Sequence, residues 1–102
     1  EENISCEIID LRTVRPLDID AVLKSVKKTN RLVILEEAWP FGNVSTEITF
    51  QVQSKAFDYL DAPIEKINTA DTPAPYSPAL FAEWLPNSND VIKAVKKVLY
   101  RK

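Results

Sequence analysis

The chain has 102 residues, 45% of them hydrophobic and 27% charged, with a formal net charge of -2. It contains no histidine, no methionine, one cysteine and one glycine. This composition excludes Ser–His and Cys–His nucleophilic pairs, His-containing zinc sites, an internal disulfide and glycine-rich phosphate loops, and its weak charge sets up no field for nucleic acid or an anionic membrane.

The length fits a single domain spanning residues 1–102. No apolar run approaches the roughly 18 residues that span a bilayer, and the acidic start, Glu1-Glu2, is unlike a signal peptide. A soluble intracellular protein in a reducing compartment is expected.

Residues 4–11 (ISCEIIDL) are apolar and β-branched and predict a buried strand, with Cys6 as an inert buried thiol. Pro16 then pushes Arg15 out of the helical region. Asp18 can cap a helix whose stripe is Ile19, Val22, Leu23 and Val26. Lys27 and Lys28 suit its last turn, and Asn30 is the expected stop. Residues 32–35 (LVIL) form a second apolar run, so strand, helix and strand make a βαβ unit over residues 4–35.

Residues 43–57 satisfy two patterns at once. Ile48, Phe50 and Val52 alternate as in a strand, while Val44, Ile48, Val52 and Ala56 repeat at helical spacing. Residues 63–68 (PIEKIN) predict a strand. Residues 69–86 carry Pro73, Pro75, Pro78 and Pro86, so a loop with one short helix near residues 77–84 is expected. A final helix starts near Asn89, with Val91, Ile92, Val95, Val98 and Leu99 toward the core and Lys93, Lys96 and Lys97 toward water.

Several words along this order carry a resemblance. Residues 6–18 (CEIIDLRTVRPLD), 36–42 (EEAWPFG) with Glu47-Ile48, 60–63 (LDAP), 70–76 (ADTPAPY) and 92–97 (IKAVKK) occur in series. Together they resemble the C-terminal domain of β subunits in the thiamine-diphosphate-dependent 2-oxo acid dehydrogenase family. EEAWP and LDAP look more like its pyruvate branch than its branched-chain branch, with acetoin dehydrogenase a further alternative. The resemblance implies an α/β fold with a three-layer, doubly wound, mostly parallel sheet of transketolase C-terminal type. It implies a helix over residues 44–57, and a domain truncated at its N-terminal side, lacking a first strand and helix.

The resemblance also implies a division of labour. Thiamine diphosphate and Mg belong to the parent enzyme, and no cofactor or catalytic role falls on this fragment. The implied partners are the α subunit, a second β subunit and the peripheral subunit-binding domain of a dihydrolipoyl acyltransferase. Asp61 and the terminal carboxylate of Lys102 match the acyltransferase-docking positions, although Asp61 also reads as a turn residue before Pro63. Trp39, Phe41 and Tyr76 are candidates for the subunit interface. For Trp39 and Phe41 the alternative is a core plug over the sheet, and Tyr76 and Trp84 carry the same two readings. Adjacent Glu36 and Glu37 point to opposite faces and are expected to make loop contacts rather than an acid/base pair. Arg12 and Arg15 are expected to pair with Asp10 or Asp18. The implied location is bacterial cytoplasm or mitochondrial matrix. A stand-alone flavodoxin-like signalling or adaptor module is the rival from another class.

Overall fold

The computed structural model describes residues 4–12 and 17–100. The expectations for Arg15, Pro16 and Lys102 lie outside the described residues. The fold is α/β, with helices packed on a short parallel sheet.

Helix α1 (Ile19–Thr29) begins where the Asp18 carboxylate accepts the Ala21 N–H at 3.2 Å. It stops at Asn30, which takes a left-handed conformation (φ 67°) and donates its N–H to the Val26 carbonyl. Val22 and Val26 are buried, and Ile19 and Leu23 pack beside them. The predicted stripe and both ends agree with the structure.

Strand β1 (Val33–Leu35) leads through a loop into α2 (Val44–Ala56), a 3-10 turn (Phe57–Tyr59) and β2 (Glu65–Ile67). The strands run parallel, with Ile34 opposite Lys66 and Leu35 opposite Ile67. The helical reading of residues 44–57 holds, and Phe50 shows why the alternation misled. Ser45, Ile48, Val52 and Ala56 are buried at helical spacing, whereas Phe50 is 63% exposed. Gly42 has a φ of 69°, a conformation natural to glycine, just before the helix.

The first predicted strand is a correction. Residues 4–11 form no strand, and six of them are exposed, Ile8 at 88%. Cys6 is exposed too, so it is not a buried thiol. The physical reason is pairing: a β-branched segment becomes a strand only when a neighbour takes its peptide groups. Among the described residues no backbone bond joins residues 4–11 to any element. The βαβ unit is therefore β1–α2–β2, not residues 4–35.

Helix α3 (Pro78–Trp84) has proline in its first turn, and α4 (Ser88–Val98) opens with a capping box between Asn87 and Asp90. Ala94 and Val98 of α4 are buried, while Val91, Val95 and Leu99 are partly covered. Ile92 departs from its expected core position and is 43% exposed.

The main core joins Val22 and Val26 of α1 to Ile48, Val52 and Ala56 of α2, with Ile34 and Ile64 packed against it. Helix α4 contacts both strands and reaches the sheet partly through Lys97, whose ammonium lies 3.1 Å from Glu65. Truncating Ile48 to Ala should cost about 2–5 kcal/mol in urea unfolding. Phe50→Ala, on the outer side of the same helix, should stay within about 0.5 kcal/mol.

Candidate functional site

Asp61 sits where the chain returns from α2 toward β2. Its N–H donates to the Asn30 carbonyl at 2.8 Å, and its own carbonyl accepts the Tyr100 hydroxyl at 3.2 Å. Asn30 Nδ2 donates to the Tyr59 carbonyl at 2.8 Å, tying the same corner to the end of α1. The backbone of Asp61 is thus held on both sides, while its side chain is 57% exposed. The Asp61 carboxylate lies 3.8 Å from an Arg31 guanidinium nitrogen. Arg31 spends a shorter contact elsewhere, donating Nε–H to the Val98 carbonyl at 2.7 Å. A long, half-exposed ion pair of this kind contributes little, and it leaves the carboxylate open to a stronger cation. Beside Asp61 lies a shallow cleft of about 440 Å³ whose walls include Phe57, Leu60, Pro63 and Tyr100.

The aromatic loop lies beyond the other ends of the strands. Trp39 and Trp84 both donate their indole N–H to the carbonyl of Thr72, at 2.7 and 2.9 Å. The Phe81 and Trp84 rings lie 5.5 Å apart. Asn43 Nδ2 donates to the Trp39 carbonyl at 2.6 Å, and Lys66 Nζ donates to the Pro40 carbonyl at 2.7 Å. Trp39 is 47% exposed, Phe41 88%, and Tyr76 fully. The core-plug alternative for Trp39 and Phe41 is therefore corrected. Their loop is anchored by hydrogen bonds rather than by burial, which leaves Phe41 and Tyr76 facing out.

Glu36 and Glu37 differ sharply, although both follow the end of β1 at Leu35, so the difference comes from the loop rather than from strand alternation. Glu37 is exposed. Glu36 accepts Asn68 Nδ2 at 2.9 Å and the Ser45 N–H at 3.3 Å, so its carboxylate caps the start of α2. Asn68 Nδ2 also reaches Ser45 Oγ at 3.3 Å, and Asn68 Oδ1 is buried without a partner. Sequence reading missed Ser45 and Asn68, because only the parallel register brings residue 68 beside residue 36. Arg12 contacts Asp10 through its backbone N–H, at 3.2 Å from the carboxylate, rather than through the expected guanidinium pair. Among the described residues no cluster of His, Cys, Asp or Glu is arranged to hold a metal ion.

Comparison with known proteins adds an independent line. The family described as "Transketolase, C-terminal domain" matches residues 1–91. The pyruvate dehydrogenase E1 component subunit beta of Rickettsia felis is 56% identical over 97% of this chain and 30% of its own length. The protein of that name from Rhizobium meliloti is 52% identical over 98% of this chain and 22% of its own. The mitochondrial protein from Saccharomyces cerevisiae is 48% identical over 94% and 26%. The chain thus spans less than a third of the length of these relatives.

Glu36→Ala should destabilise the domain by about 1–3 kcal/mol in chemical denaturation, because it strips an acceptor from two part-buried donors. Glu37→Ala should change stability by no more than about 0.5 kcal/mol.

Proposed function

The chain belongs to the transketolase C-terminal domain family, and from that premise we propose that it is the C-terminal domain of a pyruvate dehydrogenase β subunit. The parent enzyme, on this reading, decarboxylates pyruvate on thiamine diphosphate with Mg and transfers the acetyl group to lipoyl groups of an acyltransferase. The contribution of this domain is to support the α₂β₂ assembly and to dock the acyltransferase's peripheral subunit-binding domain. Relatives from bacteria and mitochondria support a bacterial cytoplasmic or mitochondrial matrix location. Family membership speaks against a stand-alone signalling module.

The observation that carries the docking role is the corner at Asp61. Its backbone is fixed by neighbours far apart in sequence, while its carboxylate stays largely in solvent, with a long contact to Arg31 as its ion pair among the described residues. A pre-positioned, unsaturated acid suits a basic partner surface. The exposed Phe41 and Tyr76, with half-exposed Trp39, suit the contact with the α subunit or second β subunit, where aromatic anchors concentrate binding energy. The finer architecture is a three-layer, doubly wound, mostly parallel sheet, incomplete at its N-terminal side.

On this reading thiamine diphosphate is held by the rest of the parent enzyme, and the scarcity of glycine here supports that. A diphosphate cradle needs closely approaching backbone, and this chain has a single glycine, Gly42, in the loop before α2. No catalytic step is assigned to the chain. Acetoin and branched-chain 2-oxo acid dehydrogenases are the nearest alternatives, and the substrate preference of the assembled enzyme separates them.

In the assembled enzyme, Asp61→Asn should weaken acyltransferase binding by about tenfold or more, for the loss of roughly 1.5–3 kcal/mol of charge-assisted contact. Decarboxylation measured with an artificial electron acceptor should be unchanged, and undiminished docking would return Asp61 to a structural corner. Titration calorimetry of this chain with thiamine diphosphate should give no binding heat; micromolar affinity would overturn the assignment of the cofactor to the rest of the enzyme.

A further inference from the structure

Arg31 stands at the acidic corner without being held there by Asp61. Its Nε–H donates to the Val98 carbonyl at 2.7 Å, at the C-terminal end of α4, where the helix dipole favours a cation. That bond pins the guanidinium and leaves its Nη1 3.8 Å from Asp61 Oδ2. A contact of that length is beyond hydrogen-bond reach, so Arg31 does not orient the carboxylate and acts on it through charge. The backbone of the acid is fixed from other directions, its N–H on the Asn30 carbonyl at 2.8 Å and its carbonyl on the Tyr100 hydroxyl at 3.2 Å. Access differs between the two side chains. That of Asp61 is 57% exposed and that of Arg31 31%. A cation arriving from solvent therefore meets the acid first and feels both charges.

We propose that Arg31 sets the strength and the selectivity of docking at this corner: its pinned guanidinium offsets the charge of Asp61, so the complex is weakened and confined to a cation that comes within hydrogen-bond distance of the carboxylate. The inference rests on the docking role proposed for Asp61 and adds the residue that tunes it. Seen from beyond a hydrogen bond, an opposed pair this close is nearly neutral, and a hydrated cation gains little by approaching it. At about 2.7–2.9 Å the balance reverses, because attraction to the near oxygen exceeds repulsion from the farther guanidinium. The partner group that fits is an arginine on an ordered surface, whose planar fork can take both carboxylate oxygens at once. Because the Val98 carbonyl holds Arg31 in place, the guanidinium stays near the corner when that partner binds. It then repels the cation that Asp61 attracts. Removing its charge should tighten docking, whereas removing an orienting residue would loosen it.

Binding kinetics between the assembled enzyme and the acyltransferase's peripheral subunit-binding domain, at low and high salt, test this. Arg31→Gln keeps an N–H donor for the Val98 carbonyl and loses the charge. It should bind about fivefold more tightly than the unsubstituted enzyme at ~50 mM salt, mostly through faster association, and less than about twofold more tightly at ~500 mM. Arg31→Lys keeps the charge and should stay within about twofold of the unsubstituted enzyme. If Asp61→Asn weakens docking while Arg31→Gln leaves it unchanged or weaker, the role of Arg31 is wrong and the docking role of Asp61 stands. An equal gain at both salt concentrations also overturns it, since a charge effect must be screened. If Asp61→Asn leaves docking unchanged, the docking role itself fails. Arg31→His separates charge from structural damage, because one folded protein is compared in two protonation states. Relative to the unsubstituted enzyme, its docking should tighten about threefold between about pH 6 and about pH 8.5, as the imidazole loses its charge. A ratio that stays flat across that range overturns the inference.

Discussion

Parallel pairing of β1 with β2 is the constraint on which the rest depends. Parallel neighbours cannot be joined by a tight turn, so the chain must cross back over the sheet, and α2 is that crossing. The crossing fixes which side of α2 is buried: Ser45, Ile48, Val52 and Ala56. It also sets the first turn of α2 just beyond the end of β1, where Glu36 can accept the Ser45 N–H. With Glu36 serving the helix start, Asn43 makes no side-chain cap and instead holds the carbonyls of Trp39 and Phe41. One topological requirement thereby shapes the core, the interior polar contact and the aromatic loop.

Apolar burial and charge act at different places. Val52 is wholly buried and Val26 nearly so, at the contact of α1 with α2. The ion pairs Lys28–Glu7, Arg31–Asp61 and Lys97–Glu65 each involve at least one largely exposed side chain, so solvent screening reduces their weight. Arg31 is the instructive case. Its bond to the Val98 carbonyl, at the C-terminal end of α4, ties that helix to the strand entry with a cation where the helix dipole favours one. That bond, rather than the long contact to Asp61, accounts for the position of Arg31. The Asp61 carboxylate is left with charge to share.

Legibility in the sequence followed local completeness. Helix α1 was readable because its stripe, cap and stop all lie within residues 18–30, and β2 was bounded by Pro63 and the loop that follows. For α2 the periodicities tied, and the family resemblance decided for helix. The exposure of Phe50 breaks the tie physically, but exposure is a tertiary fact. Residues 4–11 and Cys6 failed for a related reason: strand propensity describes the segment, and strand formation belongs to its neighbour. In the site, Asp61 stood out as a word before Pro63. The Glu36–Ser45–Asn68 contact and the shared Thr72 carbonyl need the register between distant segments, which no local pattern encodes.

The same parallel register separates the two candidate surfaces. Asp61 precedes β2, and Asn30 and Arg31 precede β1, so the acidic corner lies at the edge where both strands begin. Trp39 and Phe41 follow β1, and Thr72 and Tyr76 follow β2, so the aromatic loop lies where both strands end. An acidic corner suits a basic partner, while exposed aromatic rings suit an apolar, area-rich contact. Each surface is also stiffened before any partner arrives, the corner by Asn30 and Tyr100, the loop by two indoles on one carbonyl. Pre-ordering lowers the entropy lost on association. A domain that holds two stiff, chemically different surfaces at opposite ends of its strands can engage two partners together, without one excluding the other.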